Sequence, residues 1–277
     1  MSPRQPNGVE SESSDYAVQL DDVRLWTPQG KQILQGIDWR VRTGERWTLL
    51  GPNGSGKSTI LALAGAVRHP SSGFVTVLGR RLGKVDMPSL RKRIGVVDSG
   101  AAILGWLTAE DIVLTGASGT TRPLWGTYSP QQHERARAML ALFACEHLAD
   151  REIATCSQGE RGRVRIARAL MADPALLLLD EPAVGLDLTA REALIAALDR
   201  LSEERPELTS VLVTHHLEEI PRTTTHALLV RDGRVVASGP ITDAITSEAM
   251  SACFGFPIEC RREGDRWSAR APATWTG

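Results

Sequence analysis

Gly51-Pro52-Asn53-Gly54-Ser55-Gly56-Lys57-Ser58 has the spacing G-x-x-x-x-G-K-[ST]. In this pattern glycines let successive backbone N–H groups curl around phosphate oxygens, and the following helix N-terminus adds favourable dipole charge. Lys57 can reach β- and γ-phosphates, Ser58 can offer a hydroxyl to Mg²⁺, and Thr59 completes the expected nucleotide-binding set. A second run, Leu176-Leu177-Leu178-Leu179-Asp180-Glu181-Pro182, is an apolar strand closed by two carboxylates. Asp180 suits a Mg²⁺ ligand. Glu181 stands one step further, where a carboxylate can take a proton from an attacking water. An acidic pair ending a strand is often only a solvated turn; next to a phosphate loop it points to hydrolysis of a nucleoside triphosphate.

These groups need a scaffold that brings loop, strand end and acid together. Ala17–Leu25 and Ile33–Val41 alternate apolar residues, with turn signals at Pro28-Gln29-Gly30 and Thr43-Gly44. Arg46–Leu50 is an apolar strand running straight into the loop, and Thr59–Val67 reads as a helix. Short strands are expected at Phe74–Leu78, Ile94–Val97, Ala175–Leu179, Ser210–Thr214 and Ala227–Val230. Helices are expected at Arg161–Met171 and Ala190–Glu203. Strand–helix alternation of this kind implies a parallel sheet covered on both faces. The stretch from about 100 to 156, with helical periodicity over Gln131–Leu148, interrupts the strand pattern as an inserted helical subdomain. The predicted fold is α/β: a P-loop nucleotide-binding core with a mainly parallel sheet, a small antiparallel N-terminal β-subdomain and the helical insertion. Residues 1–15 read as a disordered leader, 16–240 as the nucleotide-binding domain, and 241–277 as an extension packed on the core, with a hairpin around Glu263-Gly264-Asp265.

Balanced charge, with 32 basic and 33 acidic residues, gives no general attraction to nucleic acid or anionic membrane. No apolar run of about 18 residues is present to span a bilayer. The N-terminus lacks the apolar stretch of a secretory signal. Cys145, Cys156, Cys253 and Cys260 form no C-x-x-C or zinc spacing, so they are expected as buried inert thiols in a reducing cytoplasm.

Cys156-Ser157-Gln158-Gly159-Glu160, followed by the basic run from Arg161 to Leu170, resembles the L-S-G-G-Q signature of ATP-binding cassette (ABC) ATPases. The likeness runs from about Leu20 to about Gly239. Its parts stand in the family's order: phosphate loop, helical insertion, signature, Asp-Glu strand, Gly185-Leu186-Asp187, then Thr214-His215. The resemblance implies that Ser157, Gln158, Gly159 and Glu160 face the γ-phosphate held by a second subunit, so that ATP with Mg²⁺ glues two cassettes together, expected as a homodimer. It also implies that His215 contacts the γ-phosphate and positions the water. Asp187 would link the two sites across the dimer, and Trp26 would stack on the adenine.

The sequence departs from the family at two places. Where members carry a glutamine that touches Mg²⁺ and the water, this chain has Asp98-Ser99, so Ser99 or Asp98 takes that place. The signature has Cys156 for leucine, Gln158 for the first glycine and Glu160 for glutamine, a pattern similar to siderophore- and molybdate-type importer subunits. The favoured function is therefore the ATP-hydrolysing subunit of a transporter, seated under a separate transmembrane permease on the cytoplasmic face of the membrane, with no nucleic-acid partner. A soluble ABC ATPase acting on a ribosome, nucleic acid or signalling partner is the alternative. A P-loop kinase is disfavoured by the signature helix.

Overall fold

The computed structural model describes residues 15–98 and 104–272. The N-terminal alternation produces β1 (Tyr16–Trp26) and β2 (Gln32–Arg42), paired antiparallel. Their inward residues Val18, Leu20, Val23, Leu34, Ile37 and Val41 are fully or almost fully buried. Next come β3 (Arg46–Leu50), α1 (Lys57–Ala64), β4 (Ser72–Val77), β5 (Arg80–Arg81), α2 (Met87–Arg91) and β6 (Ile94–Asp98). Helix α1 starts two residues before the expected Thr59, directly after Gly56, and stops at Ala64 because Ala66 takes a left-handed φ of 55°.

Three helices follow: α3 (Ala109–Ser118), α4 (Pro130–Leu142) and α5 (Gln158–Leu170). All three begin on capping boxes, Thr108/Asp111, Ser129/Gln132 and Ser157/Glu160, each satisfying two N–H groups at the helix start. The periodicity over Gln131–Leu148 is not one helix. Helix α4 ends at Leu142, Ala144 turns left-handed (φ 52°), and Glu146–Leu148 forms a separate 3₁₀ turn. Helix α5 starts at Gln158, ahead of the expected Arg161, because Ser157 caps it. The core of this helical layer joins Ile112, Leu140, Phe143, Leu148 and Ile153 to Val164 and Ile166 of α5, and onward to the sheet residues Leu177 and Leu179.

The chain continues through β7 (Leu176–Asp180), α6 (Leu188–Glu204), β8 (Thr209–Val213), β9 (His226–Arg231) and β10 (Arg234–Pro240). It closes with α7 (Ile241–Ala244), α8 (Ser247–Phe254) and a hairpin of β11 (Glu259–Glu263) and β12 (Arg266–Arg270) around Gly264. Among the described residues the central sheet runs β10-β9-β3-β8-β7-β6, and a smaller antiparallel sheet runs β2-β1-β4-β5. The central sheet is parallel except for the β9–β10 hairpin. Its inner strands are covered on both faces, which is why Leu176–Leu179 reads as an unbroken apolar run and is at most 2% exposed. Strand β10 was not expected from the sequence, although Asp232-Gly233 carries the hairpin signal: both residues have positive φ, 49° and 71°. The C-terminal segment packs on the sheet through Ile241, Ile245, Met250, Cys253 and Trp267, which share a core with Leu50, Leu217, Ile220 and Leu229. Among the described residues no helix is long and apolar enough to cross a membrane.

Phe143, 1% exposed, is among the bulkiest fully buried side chains of the described residues and sits in the helical-layer core. Phe143→Ala is expected to lower unfolding stability by about 3–5 kcal/mol, read from urea midpoints. A loss below about 1 kcal/mol would show that this core is not closed around that ring.

Candidate functional site

The phosphate loop is shaped by positions that exclude a side chain. Gly51 has φ 152°, and a Cβ there would lie 2.1 Å from the Val230 carbonyl oxygen of β9. Gly56 has φ 109°, and its Cβ would meet Leu34 of β2 at 2.7 Å. The loop is also tied to the β9–β10 turn, where the Gly233 N–H donates to the Ser55 carbonyl at 2.9 Å. Helix α1 has no side-chain N-cap and no acid in its first turn, so its terminal N–H groups and dipole are offered to an anion. Buried Lys57 donates through Nζ to the carbonyls of Gly51 (2.8 Å) and Pro52 (3.0 Å). Burial pushes its pKa down, against the opposing pull of Glu181, Asp180 and Cys253. A cleft of about 620 Å³ opens here. Asn53, Gly54, Gly56, Lys57, Ser58 and Thr59 line it, together with Glu181 from the acidic strand end.

Parallel pairing places the chemistry at the carboxyl ends of the strands. Asp180 ends β7 in register with Val213 of β8 and Asp98 of β6. Burial raises the Asp180 pKa; a hydrogen bond with Ser58 works against this, while Glu181 and Asp98 add to it. Its Oδ1 is buried without a hydrogen-bond partner. Among the described residues no three His, Cys, Asp or Glu side chains form an all-protein metal cage. Mg²⁺ needs none, because it is commonly held by one or two carboxylates with substrate phosphates and water. A bare carboxylate oxygen beside the Ser58 hydroxyl fits that ion.

Glu181 adopts a positive φ of 46°, uncommon for a residue with a side chain. Its N–H donates to the Val213 carbonyl at 3.1 Å, which fixes it against β8. His215, just beyond β8, brings Nδ1 to 3.4 Å from Glu181 Oε1, an ion-pair distance without hydrogen-bond geometry. The segment bearing His215 is pinned by the Thr214 hydroxyl, which donates to the Glu219 carboxylate and accepts from the His216 N–H at 3.0 Å.

Ser157, Gln158, Gly159 and Glu160 form a separate group at the start of α5 and do not line the cleft. Glu160 accepts the Ser157 N–H at 2.7 Å, and that bond holds its carboxyl below the usual range. Gln158 donates to the Val184 carbonyl at 3.1 Å and fills the space over Gly185. Asp187 caps α6 by accepting the Ala190 N–H at 2.7 Å.

Trp26 is 45% exposed at the end of β1, across from Gln32; Gln32 lines the cleft and Trp26 does not. Ser99 lies outside the described residues. The sequence reading missed Gln32 and Asp232 as cleft residues. They come from chain segments far from the motif, and only the Asp-Gly turn signal marks one of them. Cys145 and Cys253 are fully buried, and burial pushes both thiols up to about 11, as inert thiols require.

Gly51→Ala is expected to abolish ATP binding, measured by titration of a fluorescent ATP analogue, because the new methyl collides with a backbone oxygen that cannot move aside. Gly54→Ala meets no neighbour within 4 Å and carries only the cost of its left-handed φ of 77°, about 1–2 kcal/mol. Equal binding by both variants would refute the steric account.

Comparison with known proteins accords with this geometry. The sequence profile of the ABC transporter family matches residues 34–184. An ABC transporter ATP-binding protein of Bacillus subtilis, YlmA, is 40% identical over 254 residues, covering 90% of this chain and 95% of its own. An ABC transporter ATP-binding protein of Streptococcus mutans is 40% identical over 232 residues, covering 83% and 89%. Among solved structures, a dimeric ATP-binding cassette in a post-hydrolysis state bound to ADP and Pi superposes with a TM-score of 0.71 and 28% identity, over 81% of this chain and 98% of that one. With the phosphate loop, the acid-tipped strand and the capped signature helix in place, the chain belongs to the ABC transporter family, as an ATP-binding and ATP-hydrolysing cassette.

Proposed function

We propose that this cassette hydrolyses ATP between two copies of the chain, with Glu181 as general base, and that the cycle drives solute through a separate permease on the cytoplasmic face of the membrane. The observation that carries this reading is the meeting of Glu181 and His215 at the mouth of the cleft lined by Lys57 and Ser58. In this reading the loop N–H groups and Lys57 hold the β- and γ-phosphates, and Ser58 with Asp180 holds Mg²⁺. The ion supplies charge neutralisation on the phosphate oxygens. Glu181 accepts the proton of the attacking water, and His215 orients Glu181 and the γ-phosphate. Asp98, in register with Asp180, adds a carboxylate where the family has a glutamine nearby.

The exposed α5 N-terminus, separate from the cleft of its own chain, suits a role at the ATP held by the other copy. Ser157, Gln158, Gly159 and Glu160 would meet that phosphate, and Asp187 would connect the two sites. Trp26, beside the cleft mouth, would reach the base from its edge. Trp106, Leu124 and Trp125 leave 58%, 47% and 62% of their surfaces exposed in and beside the helical layer. Large apolar side chains left in water suit a protein partner such as the permease.

Glu181→Gln is expected to keep ATP affinity, to lower steady-state phosphate release by about 10²–10⁴-fold, and to run as a dimer in size-exclusion chromatography at saturating MgATP. Adding EDTA should return it to monomer. Near wild-type turnover would remove Glu181 from the chemistry, and a monomer at saturating MgATP would remove the two-copy clamp.

A further inference from the structure

Arg266, on β12 of the C-terminal hairpin, lies outside the cleft and outside the span matched by the family. Its guanidinium nevertheless ties together two segments that lead back to the site. Nη1 and Nη2 donate to the two carboxylate oxygens of Glu192 at 2.8 and 3.0 Å, a bidentate pair. Nη2 also donates to the Glu218 carbonyl at 2.8 Å. Glu192 stands near the start of α6, the helix capped by Asp187. Glu218 lies in the 3₁₀ turn Leu217–Glu219 directly after His215 and His216. The neighbouring Trp267 is 8% exposed and shares a core with Leu217 and Ile220, so the hairpin grips the same turn from its apolar side.

Within that turn, Glu219 is buried and accepts the Thr214 hydroxyl, which in turn accepts the His216 N–H. The position of the backbone at Glu218 is therefore carried to both sides of His215. We infer that Arg266 is a positioning residue for ATP hydrolysis: it locks the segment carrying His215 to the helix that follows Asp187. The planar fork of arginine fixes direction as well as distance, so one side chain can set the angle between these two elements. A lysine would supply a single point charge and could not hold both carboxylate oxygens and the carbonyl in one plane. The inference rests on the reading of His215 and Asp187 given above.

The test compares the full-length wild type with Arg266→Met, Arg266→Lys, Glu192→Gln and the Arg266→Met/Glu192→Gln double variant. It measures kcat and KM for MgATP, nucleotide affinity and Tm. The expected result is a fall in kcat of roughly 10-fold or more in Arg266→Met, since small misplacements of reacting groups are costly. KM and nucleotide affinity should stay within about twofold of wild type, because only the closed geometry depends on the tie. Arg266→Lys should remain impaired, and the double variant should lose no more than Arg266→Met alone. If Arg266→Met does not fold, Arg266→Lys and Glu192→Gln carry the same comparison. A kcat within twofold of wild type, or losses that multiply in the double variant, would overturn the proposal. Glu181→Gln run alongside separates the two readings: if it turns over normally, the site assignment fails, whatever Arg266 does.

Discussion

Everything in this cassette depends on one close approach, the Val230 carbonyl of β9 pressing on Gly51 at the end of β3. That approach can exist only if residue 51 has no side chain, at the point where the chain leaves β3 for the phosphate loop. The loop is then held from a second side by the β9–β10 turn, through Gly233 and the Ser55 carbonyl, and from a third by Leu34 against Gly56. A phosphate-binding loop must hold its N–H groups inward without help from its own sequence neighbours. Here the rigidity is borrowed from distant segments: β2, which precedes the loop, and β9 with its turn into β10, which the chain reaches much later.

The same logic places the acids. Asp180 and Glu181 are consecutive and both half-buried but differ in backbone: the first still follows the strand, while the second turns into a left-handed conformation and lines the cleft. Burial resists charge on Asp180, and the hydrogen bond with Ser58 works the other way. Parallel pairing sets Asp98, Asp180 and Val213 side by side, so these three strand ends beside the phosphate loop are levelled by the sheet's register.

Contiguous features were legible in the sequence. The strand–loop–helix around Gly51–Ser58 and the Leu176–Glu181 strand each declare their chemistry within one short run, and the parallel α/β fold follows from their alternation. Helix starts were read late at Arg161 and Ala190 because the apolar period was followed and the caps Ser157 and Asp187 were not used to set the boundary. The helical periodicity read over Gln131–Leu148 spans two elements, because the helix ends at Leu142 and Ala144, an ordinary helix former, takes a left-handed φ that its residue type does not announce. What the sequence does not signal are encounters between distant segments. Gln32 and Asp232 share a cleft, and Arg266 meets Glu192 and Glu218, with nothing in their local neighbourhoods to announce it.

The capping box of α5 has a consequence for how such a machine lets go. A helix N-terminus attracts phosphate through its exposed N–H groups and dipole, but here the Glu160 carboxylate is already bonded to the Ser157 N–H. An approaching phosphate therefore meets an end whose positive field is partly cancelled by a built-in anion, where the family's usual glutamine would be neutral. In the two-copy clamp proposed above, this would temper the affinity between the two halves at the contact itself. For a clamp that must open after every turnover, a grip weakened in advance would favour release, and it would shift the burden of tight closure onto the phosphate loop and Lys57.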